Sequence, residues 1–145
     1  MYNKILIPVD GSEGSWRALE NAMAIGEKFG SELIVVNVIQ PYNNAALLAI
    51  PLEHGDNTVG TEEFERIGDK VLALAKEKMS GYPYENQVCM EVGHPSERII
   101  ALGKKLQADL IVIGSRGLSG IAEFFLGSVS SKVSQYSDSP VLIVK

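Results

Sequence analysis

Cysteine is nearly absent from this chain. Cys89 stands alone among 145 residues, so no disulfide can close within it. A lone thiol fits a reducing cytoplasm, and on a strand it reads as a small buried hydrophobe. Long apolar runs are missing as well: none approaches the roughly 18–20 residues that cross a bilayer. No basic segment followed by an apolar stretch opens the chain as a secretory leader would. A cytoplasmic protein with no membrane span is the expectation. Positive charge is scarce, with 13 Lys and Arg against 18 Asp and Glu and a net charge of −5. Nucleic-acid binders carry a basic patch or stripe, so no nucleic-acid partner is expected.

Several chemical signatures are missing too. There is no G-x-x-x-x-G-K-[ST], which excludes a P-loop and its phosphate-binding lysine. No G-x-G-x-x-G follows the first strand, which weakens a dinucleotide site. No paired histidines or cysteines have zinc-ligand spacing, and His54 and His94 read as solvated loop residues. No G-x-S-x-G elbow supports a hydrolase triad.

What is present is alternation. Ile5–Val9, Leu33–Ile39, Leu110–Ile113 and Val141–Val144 are short, near-continuous apolar runs, as parallel strands covered on both faces should be. Tyr84–Val92 is more polar and partly alternating, with Val88, Met90 and Val92 on one parity, and predicts a less covered edge strand. Between the runs lie segments of helical period. Trp16, Leu19, Ala22, Met23 and Phe29 form one apolar stripe, and Phe64, Ile67, Val71 and Leu74 form a second. In that second helix Glu62, Glu63 and Glu65 fall in the first turns and Lys76 and Lys78 in the last, as the helix dipole favours. Ile99, Leu102 and Leu106 mark a third helix entered through Pro95, and Val129, Val133 and Tyr136 a short fourth that stops before Pro140. The order β-α-β-α-β-α-β-α-β predicts an α/β fold with a parallel sheet and right-handed crossovers. The excursion Gln40–Thr61, rich in Pro and Gly around Ala45–Ile50, is long for a strand-to-helix connection.

The chemistry concentrates after the fourth strand. Gly114-x2-Gly117-x9-Gly127-Ser128 follows the run Leu110–Ile113 and leads into a helix start. Glycines there let backbone N–H groups approach a ligand with no Cβ in the way. A helix N-terminus adds unpaired donors and partial positive charge, which favour phosphate. Arg116 supplies a charge able to fork onto phosphate oxygens, and Ser128, Ser130 and Ser131 add hydroxyls. A second polar turn, Pro8-Val9-Asp10-Gly11-Ser12, closes the first strand, and either Asp10 or Ser12 can cap the helix after it. If the first and fourth strands are neighbours, the two turns flank one crevice, where open parallel sheets bind ligands. The antecedent is a nucleotide site.

At these residues the chain resembles the universal stress protein family, in its ATP-binding branch. Lys4–Ser12 is similar to that family's first strand and turn, and Gly93-His94-Pro95 before Ile99 to its G-x-P segment. Gly114-Ser115-Arg116-Gly117 through Gly127-Ser128, and then Pro140–Val144, are similar to its nucleotide loop and final strand. The likeness runs the length of the chain. It implies a single domain over 1–145 with 41–60 as a variable loop, and a Rossmann-like five-stranded sheet in the order 3-2-1-4-5. It implies ATP across the ends of strands one and four. Asp10 and the backbone of Val38 would meet the adenosine end beside Pro8 and Val9. Gly114, Ser115, Arg116 and Gly117 would line ribose and phosphates, and Gly127, Ser128, Val129 and Ser130 would hold the phosphates. A Mg or Mn ion would ride on phosphates and water. The family pairs through its last strand, which implies a homodimer through Val141, Leu142, Ile143 and Val144; an unprotected apolar edge argues the same way. The implied role is regulatory, in a stress response, and non-catalytic, since no residue of the motif stands out as a general base. A slow ATPase on the same crevice, a nucleotide-free interaction module and a flavodoxin-like FMN protein are the other readings.

Overall fold

The apolar runs all become parallel strands in the computed structural model, which describes residues 1–40, 58–116 and 127–145. The strands are β1 (Lys4–Pro8), β2 (Glu32–Ile39), β3 (Asn86–Val92), β4 (Leu110–Gly114) and β5 (Val141–Val144). They alternate with helices α1 (Glu13–Phe29), α2 (Thr58–Lys78), α3 (Pro95–Leu106) and α4 (Ser128–Tyr136). The sheet order is 3-2-1-4-5, as the family resemblance implies, and every pairing is parallel.

Burial explains the strand composition. Ile5, Leu6 and Ile7 of β1 are fully buried because both faces of the central strands are covered. Ile5, Ile7, Leu33 and Val35 point toward α1 and α2 and meet Ala18, Leu19, Ala22, Leu72, Ala75 and Met79. Leu6, Ile34, Val36 and Ile111 point the other way and meet Ile99, Leu102 and Val133 of α3 and α4. The side-chain period of two is thus filled on both sides. α1 starts at Ser12, whose side chain accepts from Ser15 N–H, and ends at Gly30 with φ 67°. β3 and β5 are the edges. Cys89 sits half-buried on β3, where burial and, second, the Glu91 carboxylate raise its thiol pKa.

The structure departs from the expected pattern in a few places. β3 starts at Asn86 rather than Tyr84, and Tyr84 instead packs edge-on against Tyr82. Phe29, Val92 and Tyr136, assigned by period to apolar stripes, are exposed. The larger correction concerns α2. Its buried residues among those described are Gly68, Leu72 and Ala75, with Met79 just past its end, whereas Ile67 and Leu74 of the expected stripe face outward. The helix is rotated by one residue because Gly68 lies directly over β2 and β3. A Cβ there would come within 2.8 Å of Asn37 Oδ1 and 2.7 Å of Met90 Cε. Periodicity looks for the largest apolar residues, but the closest helix–sheet approach takes the smallest. α2 also begins a turn earlier than its charges suggest, so its first turn holds no acidic residue.

Two outcomes test this packing. Leu72→Ala should cost about 2–5 kcal/mol in urea denaturation, as a buried leucine does, while Leu74→Ala should stay within about 0.5 kcal/mol. The second concerns Tyr82, whose hydroxyl donates to the Ser31 carbonyl at 2.6 Å. Burial first, then Tyr84 and Glu27, raise its pKa above the ordinary 10.0. The fold favours the protonated phenol, so its contribution is complete below pH 10.0 and lost as pH rises through the raised value. Alkaline titration of stability should show a falling phase in that range, absent from Tyr82→Phe.

Candidate functional site

β1 and β4 pair only at Ile5↔Leu110 and Leu6↔Ile111. On its other side β1 stays paired with β2 as far as Pro8↔Val36, and β4 stays paired with β5 to Gly114↔Val144. The two central strands therefore part over their last residues, at the point where the sheet order reverses. Open α/β sheets bind ligands at such a point.

The β1 rim is built from backbone. Val9 N–H donates to Val36 O at 2.8 Å, and Asn37 Nδ2 donates to Val9 O at 2.8 Å. Pro8 and Val9 are buried behind this rim. Asp10 Oδ1 accepts from Ser12 N–H at 2.9 Å, closing a turn in which Gly11 takes φ 89°, a conformation glycine adopts at little cost. Ser12, not Asp10, caps α1. Asp10 is half-buried, and its Oδ2 has no partner among the described residues.

The β4 rim meets α1 through two glycines. A Cβ on Gly114 would lie 2.9 Å from the carbonyl carbon and oxygen of Gly14, and one on Gly14 would lie 3.1 Å from Arg116 O. The space that Gly114 leaves open is thus filled by the protein's own backbone, not by a ligand. The same holds at Gly127, whose Cβ would lie 3.1 Å from Ser115 O.

Ser115 then clamps three segments. Its N–H donates to Val144 O at 2.8 Å, and its carbonyl accepts Gly127 N–H at 2.7 Å and Ser130 Oγ–H at 3.0 Å. Ser130 Oγ is also 3.0 Å from Gly127 O, so its single proton is shared between two carbonyls and the buried hydroxyl works inside the protein. This clamp sets the start of α4 beside the end of β4. The N-cap is Gly127, with no side-chain cap, and the first α4 bond back along the chain is Ser131 N–H to Gly127 O. The N–H groups of Ser128, Val129 and Ser130 precede any intrahelical acceptor. They form a donor shelf with the partial positive charge of the helix end. Ser128 and Arg116 are exposed beside it.

Of the residues expected from sequence, Ser115, Arg116, Gly127, Ser128, Val129 and Ser130 are brought together on the β4 side. Pro8, Val9 and Asp10 are joined to them through Ser12 and the Gly14–Gly114 contact. Val38 is half-buried at the end of β2. Gly117 lies outside the described residues, as do His54 and most of the 41–60 loop. Asn37, which holds the Val9 carbonyl, was missed; its signal was a single polar residue interrupting the apolar run of β2. Among the described residues no group of three or more His, Cys, Asp or Glu is placed to hold a metal ion.

The universal stress protein family model matches residues 1–145. This chain belongs to the universal stress protein family. It is 36% identical over 150 residues to universal stress protein YxiE of Bacillus subtilis, covering all of both chains. It is 32% identical over 155 residues to universal stress protein MJ0577 of Methanocaldococcus jannaschii, covering 100% of this chain and 96% of that one. The solved structure of MJ0577 superposes with a TM-score of 0.82, at 30% identity over 100% of this chain and 96% of that one. A universal stress protein solved in complex with cAMP superposes with a TM-score of 0.74, at 27% identity over 99% and 97% of the two chains.

The Gly14–Gly114 contact gives a direct test. Gly114→Ala should lower stability by about 1–3 kcal/mol, as overpacking does, read from the midpoint of urea unfolding.

Proposed function

We propose that this universal stress protein binds ATP across the carboxyl ends of β1 and β4 and acts as a regulatory, stress-response nucleotide binder. The observation that supports this reading is the Ser115 clamp, which sets the start of α4, whose first N–H groups have no acceptor among the described residues, beside the end of β4. Those donors suit phosphate. Asp10 Oδ2, without a partner among the described residues, suits a ribose hydroxyl, and Pro8, Val9 and the backbone of Val38 suit the adenosine end. In this reading the backbone of Gly114 and Ser115, with Arg116, meets ribose and phosphates, and the start of α4 from Gly127 through Ser128, Val129 and Ser130 meets the phosphates; Gly117 lies outside the described residues. The cAMP complex of a relative supports an adenine nucleotide. A Mg or Mn ion, where present, rides on the phosphates and water.

The groups along the shelf donate hydrogen bonds and balance charge. The proposed role is therefore occupancy by nucleotide rather than hydrolysis. The expected compartment is the cytoplasm, and no described helix is long and apolar enough to cross a membrane. The residues 1–145 act as one domain, and two copies pair along β5. That strand is a sheet edge, with Leu142 exposed and no charge between Val141 and Val144.

Calorimetric titration should give a micromolar dissociation constant for ATP; absence of binding overturns the reading. Arg116→Ala should weaken ATP about tenfold, or ~1.4 kcal/mol, while leaving adenosine binding and the unfolding midpoint unchanged. For the pairing, sedimentation at micromolar concentration should give a dimer, and Leu142→Lys a monomer.

A further inference from the structure

On the outward stripe of α2 only Val71 packs against the core; Ile67 and Leu74 belong neither to the described core nor to the proposed nucleotide site. Ile67 is 51% exposed and Leu74 41%, with Val71 half-buried between them. Each stands one residue before a buried position, 68, 72 and 75, so the stripe lies about 100° around the helix from the core face. Continuing it by helical spacing reaches Glu63 at one end and Lys78 at the other, both exposed. The stripe therefore reads acid, two apolar positions, base, over roughly 22 Å. Trp16 borders the basic end, with Lys78 Nζ 5.3 Å from its ring centroid.

This pattern is complementary to itself. Ile67 and Leu74 are symmetric about a point between Lys70 and Val71, and Glu63 and Lys78 are symmetric about that same point. A second copy laid antiparallel across the stripe places Ile67 on Leu74 and Glu63 beside Lys78, twice over. A two-fold contact requires this kind of self-matching patch. Lys70 at the margin keeps its ammonium in water through its flexible stem. We infer that α2 is a second self-association surface, on which Glu63, Ile67, Leu74 and Lys78 pair antiparallel with the same residues of another copy. The stripe covers α2 over β2 and β3, at the opposite side of the sheet from β5, so the contact is compatible with edge pairing. Its small size places it among weak, transient interfaces.

The test is sedimentation equilibrium of the full chain from low micromolar to several hundred micromolar, with unfolding midpoints measured alongside. The wild-type mass should rise with concentration beyond the species formed at low micromolar. Ile67→Glu should move that rise at least tenfold higher in concentration with no loss of stability. Glu63→Lys and Lys78→Glu should each do the same alone. Mixing the two single variants re-forms both charge pairs, so the mixture should associate where neither variant does, as should the double variant. The inference fails if wild-type mass is flat over the range, or if the mixture behaves as the sum of its parts. It also fails if Ile67→Glu lowers the unfolding midpoint while the mass stays unchanged, since the stripe is then covered within its own chain.

Discussion

Among the described glycines, the tightest approach of backbone to backbone that a side chain would forbid is between Gly14, in the first turn of α1, and Gly114, at the end of β4. β4 enters the sheet late, long after α1 has been laid down in sequence, and pairs with β1 over only two positions. With no pairing to β1 beyond Leu6↔Ile111, the carboxyl end of β4, paired with β5 on its far side, is placed against β1 by the helix that leaves β1. That contact keeps the Asp10 turn and the Ser115 turn a fixed distance apart. Side chains at either glycine would push the helix off the strand and separate the two walls of the crevice.

The fixed walls put backbone groups to work. Val9, Ser115 and Gly127 present or receive peptide hydrogen bonds, and the side chains nearest them, Asn37 and Ser130, hold carbonyls in place. Backbone donors tethered this way cost little reorganisation when an anion arrives, because they are already aimed. Asp10 and Arg116, by contrast, keep polar groups available. The division suits a binder: rigid peptide groups for charge and shape, and two ionic side chains at the margins for discrimination.

Much of this was legible beforehand. The runs at Ile5, Leu33, Leu110 and Val141 announced strands because burial on both faces removes alternation, and the glycine spacing after Ile113 pointed to the close packing at the end of β4. The strand order came through the family resemblance, since periodicity says nothing about neighbours. The phase of α2 was misread because a helix lying close over a sheet turns its smallest residue inward, and Gly68 carries no apolar weight. The purpose of Gly114 was misread for a related reason. A glycine announces close approach, but sequence alone does not say whether ligand or protein does the approaching. Asn37 escaped because one amide in a strand looks like a blemish until the carbonyl it holds is seen.

Ser115 has a consequence beyond the site it helps to build. Its peptide nitrogen is tied to Val144 on the outermost strand, and its carbonyl to the first residues of α4. One residue, through the two planar peptide units that meet at its Cα, thus joins the perimeter of the sheet to the start of α4. A strand drawn outward by a neighbour would pull on that residue and with it on the first turn of α4. An anion settling on the donors of that turn would stiffen the strand in return.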